Sequence, residues 1–134
     1  MTTFKKMFEE TTIPLLSKSP VTRVQLAQYA GASGDYNPIH IDEEFAGKSP
    51  LGGVIAHGML SMGFLGQYAE SLAGELGEVK TFKVQFRAMV RPGDTITCEA
   101  EQLELMSNEV LFRICAKNQH GDIVVKGETR IVQK

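Results

Sequence analysis

The run Gly34-Asp35-Tyr36-Asn37-Pro38-Ile39-His40 gathers a carboxylate, an amide and an imidazole around one proline. These are the groups needed to hold a water molecule and move its protons. An Asp and a His with nearly matched proton affinities in a dry pocket can act as a base and acid pair. Gly34 permits unusual backbone angles, and Pro38 pushes Asn37 out of the helical region. The run therefore reads as a loop, and a loop on a firm scaffold is where catalytic groups collect. The same residues also suit an ordinary turn, in which Asp or Asn bonds to nearby backbone.

The elements that must carry this loop can be read on both sides of it. Thr11 to Leu16 suits a short strand. Thr22-Arg23-Val24-Gln25 fits a capping box, with Thr22 as N-cap and Gln25 reaching back. The helix that follows should end near Gly31. After the loop, Asp42 suits the cap of another short helix through Phe45 and Ala46. Lys48 to Ile55 is a glycine-rich connection. A third helix begins at His57-Gly58 and runs to about Ala73. Its apolar residues surround most of the axis, which predicts a buried helix. Gly63 and Gly66 weaken it by roughly 1 kcal/mol each relative to Ala, which makes sense if something approaches the helix closely.

From Phe82 onward the pattern has period two. Phe82, Val84 and Phe86 alternate with Lys83 and Gln85. Arg91-Pro92-Gly93-Asp94 is a turn. Ile96, Cys98 and Ala100 alternate, then the parity slips, which predicts a bulge near Glu101-Gln102. Met106 to Glu109 is a turn, Val110 to Ala116 alternates again, and His120-Gly121-Asp122 leads into a last strand, Ile123 to Val132. Long strands joined by tight turns form an antiparallel sheet. A half-polar sheet and one very apolar helix are both satisfied by a curved sheet wrapped around that helix, an α+β arrangement.

The chain has 134 residues, a size expected for one domain, residues 1–134, with a real core. A net charge of −2 gives no reason to expect nucleic acid or an anionic membrane surface. No leader is read in Met1 to Glu10 and no apolar stretch approaches the ~20 residues of a membrane span, so the expectation is a cytoplasmic protein. Cys98 and Cys115 lie in expected strands and read as reduced, buried thiols. The two cysteines and three histidines show no ligand spacing, so no metal is expected. No phosphate-cradling glycine motif is present, so no nucleotide cofactor is expected.

Three segments resemble a known family. Ala30-Gly31-Ala32-Ser33-Gly34-Asp35-Tyr36-Asn37-Pro38-Ile39-His40-Ile41-Asp42 is similar to the signature of the MaoC-like (R)-specific enoyl-CoA hydratases and dehydratases. Gly53 to Leu60 resembles the start of that family's central helix, and Phe86 to Asp94 its strand-to-strand turn. The first motif is highly specific; the others are weaker alone. The resemblance runs from about Val21 to the end. It implies a hot-dog fold, in which a strongly bent antiparallel sheet wraps a long central helix. It also implies a homodimer, often assembled further, with the active site at the subunit interface.

The implied reaction is reversible addition of water to a trans-2-enoyl thioester of CoA or acyl carrier protein, the thioester being substrate and no cofactor being needed. Such a step serves fatty-acid or polyhydroxyalkanoate-precursor metabolism. Asp35 would accept a proton from the water, His40 would hold the water and relay the proton, and Asn37 would fix the loop or the carboxylate. The Gly58 amide would meet the charge that builds on the thioester oxygen, as a preorganised donor at a helix start. Leu51, His57, Met59 and Met62 are the expected substrate-binding residues, with Phe64 and Leu65 further candidates for lining the acyl path. His57 also suits a structural role at the helix start. Arg87 and Arg91 could meet CoA phosphates or simply be solvated. The same fold hosts acyl-thioester hydrolases, for which Glu70 would be the residue to suspect. A chain bearing both Asp35 and His40 would also suit the catalytic subunit of a heteromeric acyl-carrier-protein dehydratase.

Overall fold

The computed structural model describes residues 3–9 and 12–134. Five helices and five strands follow one another among these residues: α1 (Phe4–Glu9), β1 (Leu16–Ser17), α2 (Arg23–Ser33), α3 (Pro38–Ile41), α4 (Glu43–Gly47), α5 (Gly58–Ala73), β2 (Gly77–Phe86), β3 (Thr97–Leu105), β4 (Glu109–Lys117) and β5 (Ile123–Gln133). The strands form one sheet in the order β1-β3-β4-β5-β2, and every pairing is antiparallel. The sheet curls around α5, giving the α+β hot-dog arrangement that the resemblance implies.

The sheet's inner face alternates with its outer face as the period-two pattern requires. Cys98, Ala116 and Val125 lie side by side across β3, β4 and β5, and all are buried. Phe112 and Ile114 continue this layer, and Leu65, Tyr68 and Leu72 of α5 pack in the same core. The expected bulge is real: the β3–β4 register shifts between Gln102 and Glu104. Gly127 permits an unusually close approach of β5 and β2. A Cβ there would fall 1.8 Å from the Lys83 carbonyl oxygen. The two thiols lie one residue apart in register, since Glu99, not Cys98, faces Cys115. Cys98 therefore points into the core, where burial pushes its thiol up to about 12, while Cys115 is only half-buried and bonds to Glu99.

Three expectations need correction. The strand placed at Thr11 to Leu16 is confined to Leu16–Ser17, with Thr11 outside the described residues. Pro14 has no N–H to offer a ladder, and its carbonyl instead accepts the Tyr68 hydroxyl at 2.6 Å. Helix α2 runs past Gly31 to Ser33; Gly34, at φ 78°, closes it with an N–H to the Ala30 carbonyl. The left-handed backbone, not the first glycine, sets the stop. Helix α5 is not enclosed on all sides. Phe64, Leu65, Tyr68, Ala69, Leu72 and Ala73 are buried, but Met59, Gly63, Gln67 and Glu70 form an exposed flank. Apolar character all round the axis does not say how many sides one chain can cover. Of the two interior glycines, Gly66 lies against the Phe82 ring, whereas Gly63 faces open space.

Candidate active site

Gly34 turns the chain out of α2 and delivers Asp35 directly into a tight local fold. The Asp35 N–H donates to Ser33 Oγ at 3.1 Å. Its Oδ1 accepts the Asn37 N–H at 3.2 Å. The Asn37 side-chain oxygen then caps α3 by accepting the Ile39 N–H at 3.2 Å, with Pro38 at the first helical position. Asn37 thus fixes the loop; its side chain does not hold the carboxylate. One turn of α3 carries the chain to His40. Asp42 ends α3 and caps α4 through the Phe45 N–H.

The segment that enters α5 clasps this loop from the other side. The Ile55 N–H donates to the Ile39 carbonyl at 3.0 Å. His40 Nδ1 lies 2.8 Å from the Ile55 carbonyl oxygen. A carbonyl only accepts, so Nδ1 carries the hydrogen and Nε2 is left for other work. That Nε2 faces Asp35 Oδ2 at 3.9 Å, with the His40 side chain 9% exposed and the Asp35 side chain 54% exposed. A water placed about 2.8 Å from both atoms would complete a triangle with an apex near 90°. One end of the pair is therefore dry and fixed, and the other opens outward.

His40, Gly58 and Ser61 line a cavity of about 510 Å³ together with Phe86, Met89 and the exposed Arg87. The volume is in the range of small-ligand pockets. Gly58 is the first residue of α5, where the backbone N–H has no intrahelical acceptor. A Cβ on Gly58 would sit 3.3 Å from the Phe86 ring, so this glycine keeps the cavity wall open. Ser61, Phe86 and Met89 were not among the expected site residues. Ser61 lies one turn beyond Gly58, on the same helix face, and this spacing could have found it. Phe86 arrives from β2, a placement that only the folded sheet supplies.

The expected acyl-lining residues are placed differently. Leu51 and Met62 are half-buried and Met59 is 54% exposed, and none of them lines this cavity. Phe64 and Leu65 are core residues. His57 is 2% exposed and lies under His40, with ring centroids 3.8 Å apart and an interplanar angle of 23°. Arg91 is engaged, its Nη2 donating to the Leu51 carbonyl at 2.6 Å. Glu70 lies twelve residues along α5 from Gly58, about 18 Å at the helical rise.

Asp35, His40 and His57 each offer one donor atom within 4.8 Å of the others. The two imidazoles are stacked nearly parallel, so their in-plane lone pairs run side by side instead of converging on one ion. A larger hollow, about 760 Å³, lies on the outer face of the sheet, among residues such as Glu101, Arg113, Lys126 and Glu128. Its Arg113 is paired with Glu101, and none of the candidate site residues reaches it, so the smaller cavity is the better site.

The MaoC like domain profile matches residues 9–120 of the chain. The (R)-specific enoyl-CoA hydratase of Rhodospirillum rubrum is 34% identical over 107 residues, which is 78% of this chain and 74% of that protein. The 3-hydroxybutyryl-CoA dehydratase of Methylorubrum extorquens is 30% identical over 128 residues, 92% of this chain and 82% of that protein. The chain spans only 5% of the fatty acid synthase beta subunit TOXC of Cochliobolus carbonum, at 34% identity over 109 residues. Among solved structures, the R-hydratase PhaJ1 from Pseudomonas aeruginosa superposes with a TM-score of 0.82 at 30% identity, over 95% of this chain and 84% of that one. The (R)-hydratase from A. caviae involved in PHA biosynthesis gives 0.83 at 25% identity, over 94% and 99%.

Proposed function

Because this chain belongs to the MaoC-like domain family, we propose that it is an (R)-specific enoyl-thioester hydratase, working reversibly as a 3-hydroxyacyl-thioester dehydratase. The observation that carries this is the facing of Asp35 Oδ2 and His40 Nε2 at 3.9 Å, beside a cavity walled by His40 and Gly58. In hydration, one water is held by both side chains. Asp35 takes a proton as the water oxygen adds to C3 of the enoyl group. The enolate charge moves onto the thioester oxygen and is met by the Gly58 N–H, backed by the positive end of α5. The proton returns to C2 with His40 Nε2 as relay, leaving both groups as they began. Dehydration runs the same steps backwards.

The proposed substrate is a CoA or acyl-carrier-protein thioester with a short or medium acyl group, in fatty-acid or polyester-precursor metabolism. The modest cavity and the short Gly74–Leu76 connection before β2 favour that size. Arg87 is an exposed cation on the cavity wall and suits the phosphates of either carrier. A thioesterase built on Glu70 is disfavoured, because that carboxylate is exposed and remote from the cavity.

The proposed working form is a homodimer. Tyr36, Met59, Phe86 and Met89, next to site residues or lining the cavity, are each at least half exposed, and ten-residue β2 is an edge strand. Exposed apolar clusters and long unpaired edges are the surfaces a second copy covers. The test is hydration of crotonyl-CoA, followed by loss of enoyl absorbance, for the wild type and for Asp35→Asn and His40→Gln. Full activity in either variant removes this mechanism; release of free thiol would indicate hydrolysis instead. Sedimentation of a monomer at assay concentration would remove the dimer.

A further inference from the structure

The geometry points to His57 as a positioning residue that sets Asp35, His40 and Gly58 in register. This inference rests on the hydratase reading. His57 occupies the N-cap position of α5 but makes no side-chain cap bond there. Its ring does something else. Nε2 lies 3.0 Å from the backbone carbonyl of Asp35, and because a carbonyl only accepts, Nε2 carries the hydrogen. One face of the ring stacks on His40. Tyr29 of α2 meets it edge-on, with centroids 4.7 Å apart at 62°. The ring is thus fixed by three elements at once.

Nδ1 of His57 is buried without a hydrogen-bond partner. A ring that only filled space would avoid this cost as Phe, since buried polar atoms are normally satisfied. The polar ring is explained by what Nε2–H does. Within its own loop Asp35 is held by its N–H bond to Ser33 Oγ and by the Asn37 N–H bond to its carboxylate. The His57 bond spans 22 residues and comes from the residue adjoining Gly58. One side chain therefore ties the carboxylate loop to the helix start and supports the imidazole at the same time. It does not line the cavity, so it acts through Asp35 and His40. Catalytic geometry is sensitive to such ties, because a misplacement of about 1 Å can cost roughly 100-fold in rate.

The experiment compares His57→Phe, which keeps the stacked ring and loses the donor, with His57→Gln, whose amide nitrogen can reach the position of Nε2. For His57→Phe, kcat for crotonyl-CoA hydration should fall by roughly 100-fold with KM changed less than about three-fold. His57→Gln should recover roughly ten-fold of that loss, since the bond returns without the stack. In the wild type, nitrogen-15 NMR should show His57 protonated on Nε2 and bare on Nδ1, a readout that needs no variant to fold. The inference is overturned if folded His57→Phe keeps wild-type kcat, if its loss lies in KM alone, or if His57 carries its proton on Nδ1. Asp35→Asn in the same assay separates the two readings. If it is inactive while His57→Phe is fully active, only the positioning role fails; if it is fully active, the hydratase mechanism itself fails.

Discussion

Gly58→Ala is the sharpest test of the site, because its effects on folding and on chemistry separate. The added Cβ would stand 3.3 and 3.4 Å from two carbons of the Phe86 ring, a few tenths of an ångström too close. Phe86 is 50% exposed, so its ring can yield, at a cost of about 0.5–1.5 kcal/mol if it leaves its rotamer. Alanine in place of glycine returns up to about 1 kcal/mol of helix propensity. Gly58 has no positive φ to be lost. The two terms nearly cancel, and the melting temperature should move by less than about 5 °C. The methyl group, however, enters the cavity wall beside the amide proposed to receive the enolate charge. Alanine keeps the N–H, so the methyl group acts by holding the thioester oxygen away from it, and outright loss of such a donor, about 100- to 1000-fold in kcat or about 2.7–4 kcal/mol, is the upper bound of the effect. The assay is crotonyl-CoA hydration with kcat and KM determined separately, alongside a thermal melt. A folded variant with kcat within about three-fold of wild type would refute the close approach of the thioester oxygen to the Gly58 amide that the oxyanion role requires. Gly31→Ala, on a helix face with nothing within 4 Å, is the control and should leave activity unchanged.

Gly127→Ala places a Cβ 1.8 Å from the Lys83 carbonyl oxygen, and because backbone cannot swing aside, it should destabilise by about 3 kcal/mol or more in urea unfolding. Asn37→Ala removes the α3 cap and should lower both stability, by about 1 kcal/mol, and kcat, whereas Asn37→Ser keeps a capping oxygen and should retain most of both by melt and hydration assay. Cys98, its thiol raised to about 12 by burial, should be about 10⁻⁴ thiolate at pH 8, against about a tenth for an unshifted group near 9. Iodoacetamide followed by mass spectrometry should therefore leave Cys98 unmodified in the folded protein and label it on unfolding.

What the sequence made legible was local chemistry. Although the start of α3 at Pro38, with Asn37 as its cap, falls inside the run that reads as a loop, Asp35, Asn37 and Pro38 lie within four residues, so the turn could be read from residue types alone. Thr22 capping α2 through the Gln25 N–H at 3.0 Å is the same kind of fact. The reciprocal bond from the Gln25 side chain is not made, and no local rule could have decided that. Period two located β3 to β5, the second half of β2 from Phe82, and even the slip near Gln102, but not the first half of β2, which begins at Gly77. What was not legible depends on which distant surface arrives. The acceptor for His40 Nδ1 is the carbonyl of Ile55, a backbone atom that any residue type would supply. Phe86 was correctly placed in a strand, but its contact with Gly58 follows from β2 lying along α5. Of the expected acyl-lining and substrate-binding residues, those on α5 are apolar, and that character could not say that Phe64 and Leu65 turn into the core while Met59 turns out.

The half-open state of the site and the open flank of α5 have a common physical reading. Proton transfer between Asp35, a water and the substrate gains most where bulk water is excluded, yet the Asp35 side chain is 54% exposed in the single chain. Arg87 is an exposed charge on the cavity wall, but exposed apolar residues accompany it. They are Tyr36, Met59, Phe86 and Met89, each at least half exposed, while Met59 also begins the flank of α5 that carries Gly63 with empty space before it. A surface that needs drying for its chemistry and is apolar where it needs drying is suited to closure by another protein surface. A second copy of the same chain brings an identical apolar flank and its own edge strand β2, so the proposed dimer would cover the exposed helix face and the mouth of the site together.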